Sequence, residues 1–306
     1  MQLASIRESP NSTAGAGAAV IVDPQRGAAL AADLLPGFTG DALEVLAAGR
    51  WNELETAAAA AGDDLFRRDV TFTAPYRHPR MIWGIGLNYA EHASDLTEGV
   101  PEEPASFIKA DHTVIGPGEE IPLPEQSERT TTEAELGLVI GRYCRNVEPE
   151  DAVSYLAGVV PVLDQTAEDI LQRNPRFLTR SKNFPGFFSF GPRIVPVDEV
   201  MQDGSLADIE VSTVVNGEVH RHNTVSNMRY DPAYLISFHS KVMPLYPGDI
   251  ISSGTPGAVH IRPGDVAECR IPGIGVLTNP VTGPASVGLG TRPASDRSGT
   301  QDEEAR

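Results

Sequence analysis

Glu133 and Glu135 stand two residues apart in TEAELGLVIG (132–141), a run that is otherwise largely aliphatic. Residues two apart on a strand leave the same face. In a partly buried place the two carboxylates repel each other, and each resists losing its water. A divalent cation relieves both problems. Hard cations such as Mg²⁺ take oxygen ligands, and two carboxylates on one strand face supply two of them. Gly137 continues that face and leaves room, while Ala134, Leu136, Leu138 and Ile140 point the other way, into a core. Asp164 ends the apolar run GVVPVLD (158–164) and is the candidate third ligand. The competing reading puts both glutamates on a solvated strand face and makes Asp164 a helix cap. The E-x-E spacing alone does not separate the two.

The elements that must position these groups are short strands and turns. Glycine (29) and proline (25) are abundant, and 41% of the 306 residues are hydrophobic, which favours strands joined by turns over a helical bundle. Strands are expected at AAVIVD (18–23), MIWGIG (81–86), ELGLVIG, GVVPVLD, PRIVPV (192–197), IEVSTVVNGEV (209–219) and GDIISSG (248–254). Asn216–Gly217 is a hairpin signal, and PGD at 247–249 and 263–265 marks turns into strands. Helices are expected over 41–62, ending on Gly62, over DAVSYLAG (151–158) and over DPAYLISFHSKV (231–242). Asn88 is expected to cap a further helix, with Glu91 as its reciprocal partner. Residues 1–78 read as a small N-terminal α/β domain, 79–283 as the catalytic domain, and 284–306 as a disordered tail.

A net charge of −18 argues against nucleic-acid and anionic-membrane partners, since phosphate binding needs a basic surface. It leaves small anionic molecules open. Cys144 and Cys269 are the two cysteines and read as reduced thiols. There is no leading signal pattern and no apolar run of about 20 residues, the length that spans a bilayer. A cytoplasmic protein is expected.

Seven blocks in order resemble the fumarylacetoacetate hydrolase family: GIGLNYAEH (84–92), TEAELGLVIG, VVPVLD (159–164), SKNF…FGP (181–192), VNGE (215–218), PGDIISSGTP (247–256) and PGIGVLTNPV (272–281). The likeness is to its acylpyruvase-like and 2-hydroxyhepta-2,4-diene-1,7-dioate isomerase-like branch. It implies an α+β, β-rich fold of mixed rolled or sandwiched sheets and a homodimer. It also implies a Mg²⁺ or Mn²⁺ site on Glu133, Glu135 and Asp164. Lys182 matches the family's lysine near the metal, and Gly254 and Thr255 match its substrate loop. The implied substrates are small 2-oxo acids and 1,3-dicarbonyls, which family members hydrolyse at a C–C bond, decarboxylate or isomerise.

Hydrolysis needs an activated water. His92 is the candidate base, because histidine titrates near neutrality. On a helix Asp95, three residues on, shares its face and can orient it. Three positions depart from the family's pattern. Asp95 stands where hydrolytic members often have glutamate. Glu168 stands where an arginine is frequent, which points to a less acidic substrate or to Arg180 in its place. Asn183–Phe184–Pro185 replaces a common S-F-D. The resemblance therefore leaves three readings: a C–C hydrolase, a decarboxylase or enol–keto isomerase on the same metal, and a non-catalytic metabolite binder.

Overall fold

A computed structural model of the chain describes residues 1–7, 17–89, 102–203 and 205–284. His92, Asp95, Glu91 and all but the first residue of the expected tail lie outside the described residues. The strands in chain order are β1 Gln2–Ile6, β2 Ala18–Asp23, β3 Gly27–Leu30, β4 Ile82–Gly86, β5 Ala105–Lys109, β6 Val114–Ile115, β7 Ile121–Pro122, β8 Thr130–Ile140 and β9 Leu156–Ala167. They continue with β10 Phe188–Phe190, β11 Arg193–Pro196, β12 Glu210–Val215, β13 Glu218–Thr224, β14 Ile250–Ser252, β15 Val259–His260, β16 Val266–Ile271 and β17 Gly275–Thr282.

The long antiparallel pair β8–β9 is the spine. It sits within a sheet of order β3-β2-β1-β11-β9-β8-β14-β4-β5, with β10 and β15 added to β9 and β8. Every residue of β8 is buried. A strand covered on both faces usually reads as a continuous apolar run, so its charges need a local reason. One face, with Leu136, Leu138 and Ile140, packs with Val211, Ala267 and Leu277 of a second sheet of order β13-β12-β16-β17-β7. The other face carries Val139 and, from β9, Val160 and Val162; these pack with Ile82, Ile250, Phe188 and the N-terminal residues Leu3 and Ile21. The fold is thus strand-rich, with mixed sheets and helices, as the composition predicts. β1 hydrogen-bonds β11 with Leu3 opposite Ile194, so the N-terminal strands extend the main sheet.

Local signals hold in several places. Asn216 and Gly217 turn β12 into β13, both with positive φ (53° and 82°), as a two-residue hairpin requires. Asp231 caps the helix Pro232–Val242 through its carboxylate and the Tyr234 N–H. Two helices differ from expectation. The single helix over 41–62 is two, Ala42–Ala47 and Trp51–Ala60. Gly49 at φ 64° ends the first, a left-handed stop that glycine accepts without strain. The helix over 151–158 is only Pro149–Ala152 and one tighter turn, and β9 begins at Leu156. Gly158 is a strand residue: a Cβ there would lie 2.2 Å from the Val195 carbonyl oxygen of β11. Cys144 and Cys269 are free and buried. Among the described residues no helix is long and apolar enough to cross a membrane.

Candidate metal centre

Strand register assembles the acidic cluster. Glu133 of β8 lies directly opposite Asp164 of β9, and Glu135 opposite Val162. Directly opposed residues share a face, so the three carboxylates converge from two strands. Ligand oxygens of Glu133, Glu135 and Asp164 lie within 4.8 Å of one another, and all three residues are buried. The alternative of a solvated strand face does not hold. Asp164 is inside β9 rather than at a helix start.

Two buried lysines meet the cluster. Lys182, at the end of the helix Leu178–Lys182, donates to Glu133 Oε2 at 2.9 Å and to Asp164 Oδ2 at 3.2 Å. Lys109, the last residue of β5, donates to Asp164 Oδ1 at 2.5 Å and to the Gln165 carbonyl at 3.3 Å. Hydroxyls and one amide fix Glu133 Oε1 and Glu135 Oε2. Thr166 donates to Glu133 Oε1 at 2.6 Å, Ser252 donates to Glu135 Oε2 at 2.5 Å, and the Gly254 N–H reaches the same oxygen at 2.9 Å.

Three buried carboxylates face two buried ammonium groups. Burial, and then the Asp164 charge, push the Glu135 carboxyl up to about 8. Burial also brings the Lys109 ammonium down to about 8, against the pull of Asp164. For Lys182 burial acts in the same direction, but Asp164, Glu133 and Glu135 outweigh it, and its pKa is raised. With Glu135 ionised, as cation binding requires, one negative charge is left over in a place shielded from water. An all-oxygen set with excess negative charge suits a hard divalent cation, so these residues fit Mg²⁺ or Mn²⁺.

Gly137 does not leave open space beside the cluster. A Cβ there would meet Val162 Cγ2 at 2.7 Å and Val160 Cγ1 at 2.8 Å, so the glycine admits valines from β9. The helix that Asn88 is expected to cap lies outside the described residues; among those described, its side chain bonds the main chain. Its Nδ2 donates to the Tyr230 and Ser253 carbonyls, and its Oδ1 accepts from the Tyr230 N–H. It thereby holds the end of β4 against the Ser253–Gly254 turn that reaches Glu135. Thr255 is buried, and its hydroxyl bonds within its own turn, to the Gly257 carbonyl and amide. Arg180 is exposed and donates to Gln126 Oε1 at 3.3 Å, outside the cluster.

Sequence reasoning missed Lys109. Alternation in ASFIK suggests Ile108 inside and Lys109 outside, yet Ile108 is 41% exposed and Lys109 is 2% exposed. The signal was there in Phe107, which shares the lysine's face and is buried. Asn183 also has a structural task. Its Oδ1 accepts from the Ala110 N–H at 2.7 Å, and its Nδ2 donates to the Ile108 and Thr179 carbonyls. This clamps the end of the Lys182 helix to the end of the Lys109 strand.

A cavity of about 390 Å³ opens above the cluster, with Glu133 and Lys182 in its wall. Glu168 lines it too, and its carboxylate is paired with Arg129.

The sequence is 33% identical over 223 residues to the oxaloacetate tautomerase Fahd2a of Rattus norvegicus, covering 70% of each chain. It is 36% identical over 243 residues to the 4-hydroxyphenylacetate degradation bifunctional isomerase/decarboxylase of Salmonella dublin, covering 79% of this chain and 55% of that one. The crystal structure of 2-hydroxyhepta-2,4-diene-1,7-dioate isomerase from Mycobacterium marinum superposes with a TM-score of 0.68 at 29% identity, over 93% of this chain and 99% of that one. The family model described as Fumarylacetoacetate (FAA) hydrolase C-terminal matches residues 81–282, which contain the whole acidic cluster and both lysines; the chain belongs to the fumarylacetoacetate hydrolase family.

Proposed function

We propose that the protein is a Mg²⁺- or Mn²⁺-dependent hydrolase that cleaves a C–C bond in an acylpyruvate-like or other 2-oxo/1,3-dicarbonyl compound. The observation that carries this reading is the buried Glu133, Glu135 and Asp164 set, with one carboxylate in excess of its lysines, at the base of a cavity. The three carboxylates would hold the cation. When bound, the cation supplies Lewis acidity toward a chelating oxo acid.

The reaction balances as follows. The water oxygen bonds to the acyl carbon, and the bond from that carbon to the adjacent methylene breaks. The electron pair passes into the pyruvate enolate, which takes up a proton at carbon. A free acid and pyruvate leave. Lys182 has three N–H donors and spends two of them on Glu133 and Asp164. The third is available for the enolate oxygen, in a setting where little water screens its charge. Lys109 sits behind Asp164 and holds that carboxylate in place. Gly254 acts through Glu135, as a positioning group. Water activation is assigned to His92, oriented by Asp95, on the sequence alone.

A second reading keeps the carboxylates and Lys182 and omits the water. Decarboxylation and enol–keto isomerisation also pass through an enolate, and relatives at 33% and 36% identity are named for such reactions. Incubating acetylpyruvate and, separately, oxaloacetate with the protein and each metal distinguishes the two. Equal amounts of acetate and pyruvate support hydrolysis. CO₂ or a tautomer shift without acetate transfers the assignment to the second reading. Metal binding and turnover that survive Glu133→Ala would sink both.

A further inference from the structure

We infer that the site selects substrates whose tail, beyond the oxo-acid head, is uncharged and apolar, and that it disfavours a second carboxylate there. This rests on the 2-oxo-acid reading above and adds the substrate class.

The cavity has two unlike parts. Its polar floor, with Glu133, Lys182 and the hydroxyls of Thr131 and Thr166, suits the head. Its remaining wall is largely apolar, with Leu87, Phe107, Leu171, Pro175 and Leu178, and carries the neutral amide of Gln172. Among the described residues Lys182 is the sole cation lining this cavity, and the head claims it. The other charged group on the wall is the Glu168 carboxylate.

Glu168 is held where it is. Its side chain pairs with Arg129, and its N–H donates to the Arg129 carbonyl at 2.9 Å. Arg129 is absent from the cavity wall, and its side chain is 54% exposed. Its guanidinium is spent on the Glu168 carboxylate. The neighbouring basic side chains are likewise engaged outside: Arg173 with Asp169 at 3.0 Å and Arg180 with Gln126. A second substrate carboxylate would lose water against leucine, proline and phenylalanine, beside a carboxylate already engaged by its own arginine, with no free cation among the described lining residues to meet it. Both effects disfavour a dianion. An alkyl or aryl tail would instead exclude water from the same wall.

The test is binding, with no turnover needed. The Mg²⁺-loaded full-length protein is titrated by calorimetry with 2-oxoheptanoate and with 2-oxoheptanedioate, which differ by a terminal carboxylate. At least tenfold tighter binding of the monoacid is expected. In Glu168→Gln the ratio of the two dissociation constants should fall at least threefold. Equal or tighter binding of the diacid by the unaltered protein overturns the inference, whether or not the variant folds. So does failure of both tailed acids while oxalate still binds. If oxalate and pyruvate also fail to bind, the 2-oxo-acid reading itself falls, and the inference with it.

Discussion

The two ends of one face of β8 make opposite use of burial. At one end Glu133 and Glu135 meet Asp164; at the other Val139 packs with Val160, Ile82 and Ile250. The strand pair is the same, the ladder is continuous from Thr130 to Val139, and burial is similar at both ends. The apolar end gains from being dry, whereas the acidic end is costly when dry and becomes useful with a cation. A cluster of like charges is therefore built on a stretch of sheet whose other half is well packed. Gly137 marks the border between the halves.

The harshest way to break this contrast is to move a carboxylate to the apolar end. Val160 is fully buried opposite Gly137. Among the described residues no lysine or hydroxyl set like that around Asp164 serves it. Val160→Asp should cost about 4 kcal/mol or more, enough to abolish cooperative unfolding in a chemical melt. A stable, soluble Val160→Asp protein would show that the lysines and hydroxyls at the other end are not what makes burial of charge tolerable there.

The border comes next. Gly137→Ala adds a Cβ 2.7 Å from Val162 Cγ2 and 3.0 Å from the Val160 carbonyl oxygen. Valine side chains inside a ladder have little freedom to move aside. A loss of about 2–3 kcal/mol is expected from the shift in urea midpoint. Metal affinity, read by calorimetry on the folded variant, should fall with it, since Glu135 is the next residue on that face.

Asp249 sharpens the contrast from within the apolar end. Its carbonyl accepts from the Ile140 N–H, at the end of β8. Its carboxyl accepts from the Tyr246 N–H at 2.8 Å, Arg80 is 4.0 Å away, and Oδ1 has no partner among the described residues. Burial, partly offset by Tyr246 and Arg80, raises this group from 3.8 to about 6. The folded chain then keeps a proton that the unfolded chain has lost, so stability falls as pH rises from about 4 to about 6. The loss at pH 7 should be about 2 kcal/mol, below the full value of the shift because Arg80 screens the charge. Urea melts at pH 4, 5, 6 and 7 should show Asp249→Asn gaining on the parent over that range. A constant difference between the two proteins would remove Asp249 as the cause.

The contrast also explains what could be read from sequence. The glutamates and Asp164 were legible because each interrupts an aliphatic run, and an interruption survives translation into structure. The strands β8, β9, β12 and β14 were legible for the same reason, through their apolar stretches and glycine turns. Lys109 was hidden because its partner is Asp164, distant in sequence, and only the pairing of β5 with β4 turns it inward. Gly158 stood where the expected helix and strand met, and the strand takes it; Gly49 sat unnoticed in an alanine-rich run and breaks it. Asn183 closes its own helix on the Thr179 carbonyl and also ties it to β5, a tertiary task that the sequence does not show.

The smallest expected effect tests the sign of the contrast. If the acidic end is costly without a cation, removing one titratable carboxyl there should stabilise the metal-free protein. Glu135→Gln keeps an oxygen for the Ser252 hydroxyl and the Gly254 amide, both of which now donate to Oε2. The variant also drops a carboxyl that burial raises to about 8, so the folded chain no longer has to keep a proton that the unfolded chain has lost. A gain of about 1 kcal/mol is expected in urea melts run with chelator. The same variant should bind Mg²⁺ at least about tenfold more weakly, because a neutral amide is a poorer ligand for a hard cation than a carboxylate. Opposite signs for stability and metal affinity are the signature of a site held against its own repulsion. If Glu135→Gln loses stability in chelator, Glu135 braces the fold in its own right, and the two ends of β8 differ in composition but not in kind.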